Sequence, residues 1–170
     1  MPETGRIHVI QGQFEVSRGE PECCMTTVLG SCISVCIFDP QAQAGGMNHF
    51  LLAAGRTGGH ASASYGVNAM ELLINGVLKL GADRRRLRAH VFGGAKMVAG
   101  LKNVGALNAA FAAEFLRAEG MRIMTHSVGG DQARRINFWP SVGLAREQFI
   151  AQQVIEAAPA ARPTGDVELF

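Results

Sequence analysis

The chain is poor in charge: Asp, Glu, Lys and Arg make up 18% of its 170 residues, and the net charge is +2. A field that weak does not hold nucleic acid, and the one basic run, Arg84 to Arg88, reads as a solvated turn between apolar segments. No window approaches the ~18 consecutive apolar residues that a membrane helix requires, and MPETGRIHVI lacks the charged start and apolar run of a secretory signal. The expectation is a soluble, cytoplasmic protein with no membrane insertion. Four cysteines are present, Cys23, Cys24, Cys32 and Cys36, but none of the tight C-x2-C spacings of a structural zinc site, so Cys32 and Cys36 beside His49 or His60 make a weak metal set. In a reducing compartment all four are expected to be thiols. There is no internal repeat and no linker, which leaves one domain over residues 1–170.

What is there is apolar and periodic. Hydrophobic residues reach 48%, and a chain of this length buries roughly two thirds of the surface it exposes when unfolded, so no disulfide or metal is needed to hold it. Alternation predicts a first strand from Arg6 to Val16, interrupted around Gly12, then strands from Ser31 to Phe38 and Gly46 to Leu52. A Gly, Ser, Ala and His loop follows over residues 53–64. Val67, Met70, Leu73, Ile74, Val77 and Leu78 fall at helical spacing, with Gly81 placed to end the helix in a left-handed cap. A second helix is predicted over residues 108–119, closed by Gly120. Short strands are expected at residues 87–92 and 122–128, each running into a glycine pair, and at 135–139 and 144–150. Residues 157–170 have the Ala and Pro bias of a poorly ordered tail. The order implies a mixed α/β fold with helices covering sheets.

The stretch TTVLGSCISVCIFDPQAQAGGMNHFLL carries the chemistry. If the chain reverses about the Pro40–Gln41 bond, Cys32 stands directly across from His49, at a Cβ separation of about 5 Å. A bulge at Gly45–Gly46, or a turn centred elsewhere, changes that match. An imidazole beside a thiol takes its proton and returns it to a leaving group, and a third group must orient the ring. Gly30, before Ser31 and Cys32, offers a tight turn with backbone N–H groups able to face an oxyanion. The plainer alternative is a buried cysteine and a satisfied histidine. Cys36, paired with Gly45 in this register, reads as packing, as do Cys23 and Cys24.

The run LGSCISVCIFDP followed by GGMNHFLL resembles the signature of the CheD family, chemoreceptor glutamine deamidases of bacterial chemotaxis. NAMELLINGVLKLGADRRRLRAHVFGGAKM, NVGALNAAFAAEFLRAEGMRI and VGGDQARRINFWPSVG, the last with its Arg134, are similar to further family segments in the same order. The resemblance covers about residues 6–147. It implies a catalytic Cys32 in the G-S-C step, a catalytic His49 closing G-G-M-x-H, and a threonine six positions before the cysteine, Thr26, with Thr27 the neighbouring competitor. Gly30 and Ser31 would supply backbone support to the oxyanion.

The resemblance further implies an α/β/β/α layered sandwich like that of the cytotoxic necrotizing factor deamidases. The implied activity is that of a protein-glutamine glutaminase converting receptor glutamines to glutamate and ammonia, with methyl ester hydrolysis in some members. No metal or cofactor is implied. Expected partners are chemoreceptors as substrate and a CheC-type phosphatase, with the protein itself a monomer. A regulatory module docking on such a phosphatase, and a generic thiol amidase or esterase, are the alternative functions. Asn48 departs from the small residue of many relatives. His60 and His126 receive no role.

Overall fold

The computed structural model describes residues 5–52, 59–97 and 103–151, with backbone alone from 59 to 63. Two sheets stack face to face. Strands β1 (Arg6–His8), β3 (Cys24–Leu29), β8 (Arg134–Trp139) and β9 (Leu144–Phe149) form a four-stranded sheet in the order β1-β3-β8-β9. Strands β2 (Phe14–Arg18), β5 (Ala44–Asn48), β4 (Ile33–Asp39), β6 (Arg88–Gly93) and β7 (Arg122–Val128) form a five-stranded sheet in the order β2-β5-β4-β6-β7. Helices α1 (Gly59–Lys79) and α2 (Val104–Ala118) pack on the outer face of the five-stranded sheet. The layered α/β sandwich expected from the sequence is present. Among the described residues no helix covers the outer face of the four-stranded sheet.

Strand alternation builds two cores. Ile33, Val35 and Ile37 point to the helices and join Met70, Leu73, Val77, Ala112 and Leu116. Cys36 and Phe38 point the other way, into a second cluster with Met25, Leu29, Met47, Ile136 and Phe138 between the sheets. Burying apolar surface on both faces explains why β4 has every residue buried and reads as a nearly continuous apolar run.

Several expectations need correction. β3 was not anticipated: its sequence, CMTTVL, offers only a short apolar pattern, yet it pairs with both β1 and β8. The predicted 53–64 loop is partly helix, since α1 begins at Gly59, while residues 53–58 and the side chain of His60 lie outside the described residues. α2 starts at Val104 rather than 108 because Asn103 caps it, its side chain accepting from the Ala106 N–H at 3.0 Å. The helix endings agree with expectation, Gly81 and Gly120 having φ of 102° and 71°. The predicted tail over 157–170 lies outside the described residues.

The hairpin reverses one residue later than expected. Asp39 accepts from the Gln41 and Ala42 N–H groups at 3.0 and 3.3 Å, an Asx-type turn that sets a four-residue loop and pairs Asp39 with Ala44. Cys36 therefore faces Met47 rather than Gly45, in a register that continues to the bridge between Ile33 and Phe50.

Candidate active site

That register moves Cys32 off direct opposition to His49. Ser34 takes the place across from His49, and Cys32, two residues earlier on the same strand face, becomes its diagonal neighbour. Diagonal neighbours stand about 7–8 Å apart, somewhat less at Cβ, within reach of a long or aromatic side chain. Both residues face the space between the sheets, because Cys32 packs with the inter-sheet cluster and His49 shares the parity of Met47. Here β5 is held off β4 by Asn48, whose Oδ1 accepts from the Val35 N–H at 2.9 Å. The His49 backbone turns instead to the other side, its N–H donating to Gln13 O at 3.1 Å and its carbonyl accepting from Gly12 N–H at 2.8 Å. The interruption expected around Gly12 is thus the segment that docks on His49.

The group against the ring is Thr27. Its hydroxyl lies 2.7 Å from His49 Nδ1 and donates to the Val9 carbonyl at 2.6 Å. Thr26 was expected to orient the ring, and alternation along β3 overturns this. Met25, Thr27 and Leu29 share one strand face, and Met25 and Leu29 lie in the cluster between the sheets. Thr26 shares the opposite face with the exposed Val28.

The proton assignment follows from the partners. The hydroxyl proton of Thr27 goes to Val9 O, and a carbonyl can only accept, so the Nδ1 position 2.7 Å from Thr27 and 3.2 Å from Val9 O must carry a proton. Nε2 is left with its lone pair. Burial lowers the His49 pKa against the opposing effect of the Val9 carbonyl, and burial raises that of Cys32. Both shifts favour the uncharged forms, imidazole for His49 and thiol for Cys32.

Of the four cysteines, all free, Cys32 alone is not fully buried. Burial pushes the Cys36 thiol far up, its contact with Ser34 offsetting only part of the rise. Cys23 and Cys24 are also raised by burial. The thiol of Cys32 faces Gln11, donating to Oε1 at 3.6 Å. Beside it runs a cleft of about 410 Å³ whose walls include Gln11, Thr26, Thr27, His49 and Arg135.

The loop holding Cys32 is fixed from three sides. Its carbonyl accepts from Gly94 N–H at 2.8 Å, and the Gly30 carbonyl from Ala95 N–H at 2.9 Å. Gly93, at φ 114°, makes this approach possible: a Cβ there would lie 2.1 Å from the Cys32 oxygen. The fully buried Asn108 of α2 donates from Nδ2 to Ser31 O and accepts at Oδ1 from Leu52 N–H, both at 2.9 Å. One side chain so ties the loop of Cys32 to the strand extension that follows His49. Asn108 escaped the sequence reading because a lone Asn in a helix carries no signal without its partners. Gly30 itself is not in a left-handed conformation and packs against Met97. The N–H groups of Ser31 and Cys32 donate to no described residue.

Arg134 braces this region from farther away. Nearly inaccessible, it donates to the carbonyls of Ser127 and Gly129 and pairs with Glu147 at 3.1 Å. The Gly129–Gly130 turn it secures pairs in turn with Gly93 and Lys96. His126 is exposed on β7. Among the described residues no three His, Cys, Asp or Glu side chains gather closely enough to hold a metal ion. No helix among them is long and apolar enough to cross a membrane.

Residues 52–146 match the family CheD, chemotactic sensory transduction. Relatives named "Probable chemoreceptor glutamine deamidase CheD" include one from Caulobacter sp. strain K31, 51% identical over 97% of this chain and 93% of its own length. Another, from Agrobacterium fabrum, is 47% identical over 97% and 96%. A third, from Rhizobium meliloti, is 52% identical over 84% and 79%. A solved Neisseria meningitidis protein overlaps 74% of this chain and 62% of its own at 14% identity with a TM-score of 0.43, a likeness too loose to bear on fold or function.

Proposed function

The chain belongs to the CheD family, and on that premise we propose that it is a cysteine-dependent deamidase that converts glutamines of chemoreceptors to glutamate, with Cys32 as nucleophile and His49 as base. The observation that carries the roles is the hydrogen bond from His49 Nδ1 to the Thr27 hydroxyl, which leaves the lone pair of Nε2 available to Cys32, a residue of the same inter-sheet face.

Nε2 takes the Cys32 proton as Sγ attacks the side-chain carbonyl carbon, giving a tetrahedral adduct. The Ser31 and Cys32 N–H groups are the donors available to its oxyanion. The adduct expels ammonia with the proton held on His49, leaving a thioester. His49 then takes a proton from water, hydroxide adds to the thioester, and Sγ recovers its proton. The same steps cleave a methyl ester, so weak esterase activity is part of the proposal. Thr27 holds the ring and replaces Thr26 in that role, and Gly30 supports the loop through its carbonyl. No step calls for a metal or cofactor.

The working unit is one domain over residues 1–170, acting as a cytoplasmic monomer. Docking to a CheC-type phosphatase would then modulate this turnover. The test is a peptide from a receptor methylation helix, incubated with the protein and followed by mass spectrometry. Glutamine becomes glutamate with the wild type and stays amide with Cys32→Ala. Equal conversion by Cys32→Ala would remove Cys32 from the reaction.

A further inference from the structure

A glutamine of the chain itself touches the nucleophile. The Oε1 of Gln11 accepts from the Cys32 thiol at 3.6 Å, and Gln11 and His49 share the walls of one cleft. The placement is built into the backbone. Residues Ile10 to Gln13 form a turn closed by Gln13 N–H to Ile10 O at 3.0 Å, with Gly12 at φ 90°, so Gln11 occupies the corner and its side chain projects. Gly12 N–H is anchored to the His49 carbonyl at 2.8 Å. The residue before the turn, Val9, supplies the carbonyl that meets both Thr27 and His49 Nδ1. Gln11 is exposed, and no other side-chain hydrogen bond involves it among the described residues.

We propose that Gln11 is an internal substrate: the enzyme deamidates its own Gln11 to glutamate. This inference rests on the deamidase reading above. The contacting carbonyl belongs to the functional group that reading assigns to the substrate, held next to the attacking atom without a binding step. Rotation of the Gln11 side chain about its Cα–Cβ and Cβ–Cγ bonds brings Cδ toward Sγ. The S–C bond then forms as Nε2 of His49 takes the thiol proton, and the C–N bond breaks as ammonia leaves with that proton. Water adds its oxygen to the thioester, the S–C bond breaks, and the thiol proton is restored. The balance is amide plus water to acid plus ammonia.

Trypsin releases Ile7 to Arg18 as one peptide, and it contains Gln13 as an internal control two residues away. Gln13 turns its Oε1 to the Ile10 N–H at 3.4 Å. Purified wild-type protein, incubated and sampled over time, should show the amide-to-acid mass gain at residue 11 and not at 13, with one heavy oxygen incorporated in ¹⁸O water. Cys32→Ala should retain the Gln11 amide, as should wild type alkylated at Cys32 after folding. A labelled Cys32→Ala chain mixed with wild type should remain amidated, because the reaction is within one chain.

An intact Gln11 amide in wild type that deamidates a receptor peptide overturns the proposal. So does equal conversion in Cys32→Ala, which would be spontaneous cyclisation onto the Gly12 nitrogen, and so does equal conversion at Gln13. Failure on both the receptor peptide and Gln11 would instead strike the deamidase reading itself.

Discussion

Nδ1 of His49 and the hydroxyl of Thr27 lie 2.7 Å apart, and the hydroxyl is itself committed to the carbonyl of Val9. This chain of partners sets the tautomer, and the tautomer decides which ring nitrogen can serve the thiol. Thr27→Val removes the acceptor while keeping the shape, and should lower kcat about tenfold to a hundredfold with little change in KM. Thr26→Val should stay within about twofold of wild type. Kinetics on a receptor peptide check both, and a larger loss in Thr26→Val would return the orienting role to that residue.

The pH profile follows from the same burial. Burial depresses the pKa of His49, so the proposed base stays deprotonated to lower pH than an ordinary histidine. The acid limb of kcat/KM should therefore fall below the usual value of about 6.5. A limb at or above that value would show that the ring is protonated more readily than its surroundings imply.

Asn108 holds two backbone groups that have no other partner among the described residues, Ser31 O and Leu52 N–H. Asn108→Ala leaves both unpaired and should cost about 2–4 kcal/mol of stability. The freed loop should also lower kcat by up to about a hundredfold even well below the melting temperature. Calorimetry beside kinetics separates the two effects. Stability lost with unchanged kcat would make Asn108 merely structural.

Gly93→Ala should be worse than its size suggests. The added methyl meets the Cys32 carbonyl, and φ of 114° disfavours any side chain. The loop of Cys32 must move, so activity should collapse by about a hundredfold or more. A soluble, fully active Gly93→Ala protein would show that the loop tolerates displacement.

Asp39 is fully buried and paired with Arg86 at 2.9 Å. Burial alone would raise its pKa, but the Arg86 guanidinium and the backbone N–H donors outweigh that and lower it. The unfolded chain then binds protons more readily than the folded one, so this stability is present above the ordinary carboxylate value and lost as pH falls through the depressed one. His49 and His90, whose pKa values burial lowers, add an earlier loss as pH falls below about 6.5. Asp39→Asn should cost about 3 kcal/mol near neutrality and flatten the acid end of the curve. Urea melts between about pH 4 and 7.5 check this.

The residues fixed more of the site than their local pattern disclosed. Strand alternation already favours Thr27, since Met25 and Leu29 are the apolar neighbours that share its face, but only once residues 24–29 are recognised as a strand. The helix ends were legible because Gly81 and Gly120 act locally through their own backbone torsions. The candidate pair was legible because thiol and imidazole chemistry belongs to residue types, and the motif resemblance separated Cys32 from three other cysteines.

Only the tertiary structure decided the rest, because those features depend on partners distant in the chain. Asp39 sets the hairpin register with help from Arg86 and the Asp83 N–H, far along the sequence. That shift of one residue made Cys32 and His49 diagonal neighbours. Val9 and Gln11 reach the site only because the turn at Gly12 docks on the backbone of His49, and Asn108 arrives from a helix packed on the other face of the sheet. Local sequence determines which groups are capable of chemistry. Which hydroxyl meets the ring, and which amide meets the thiol, is settled by long-range packing.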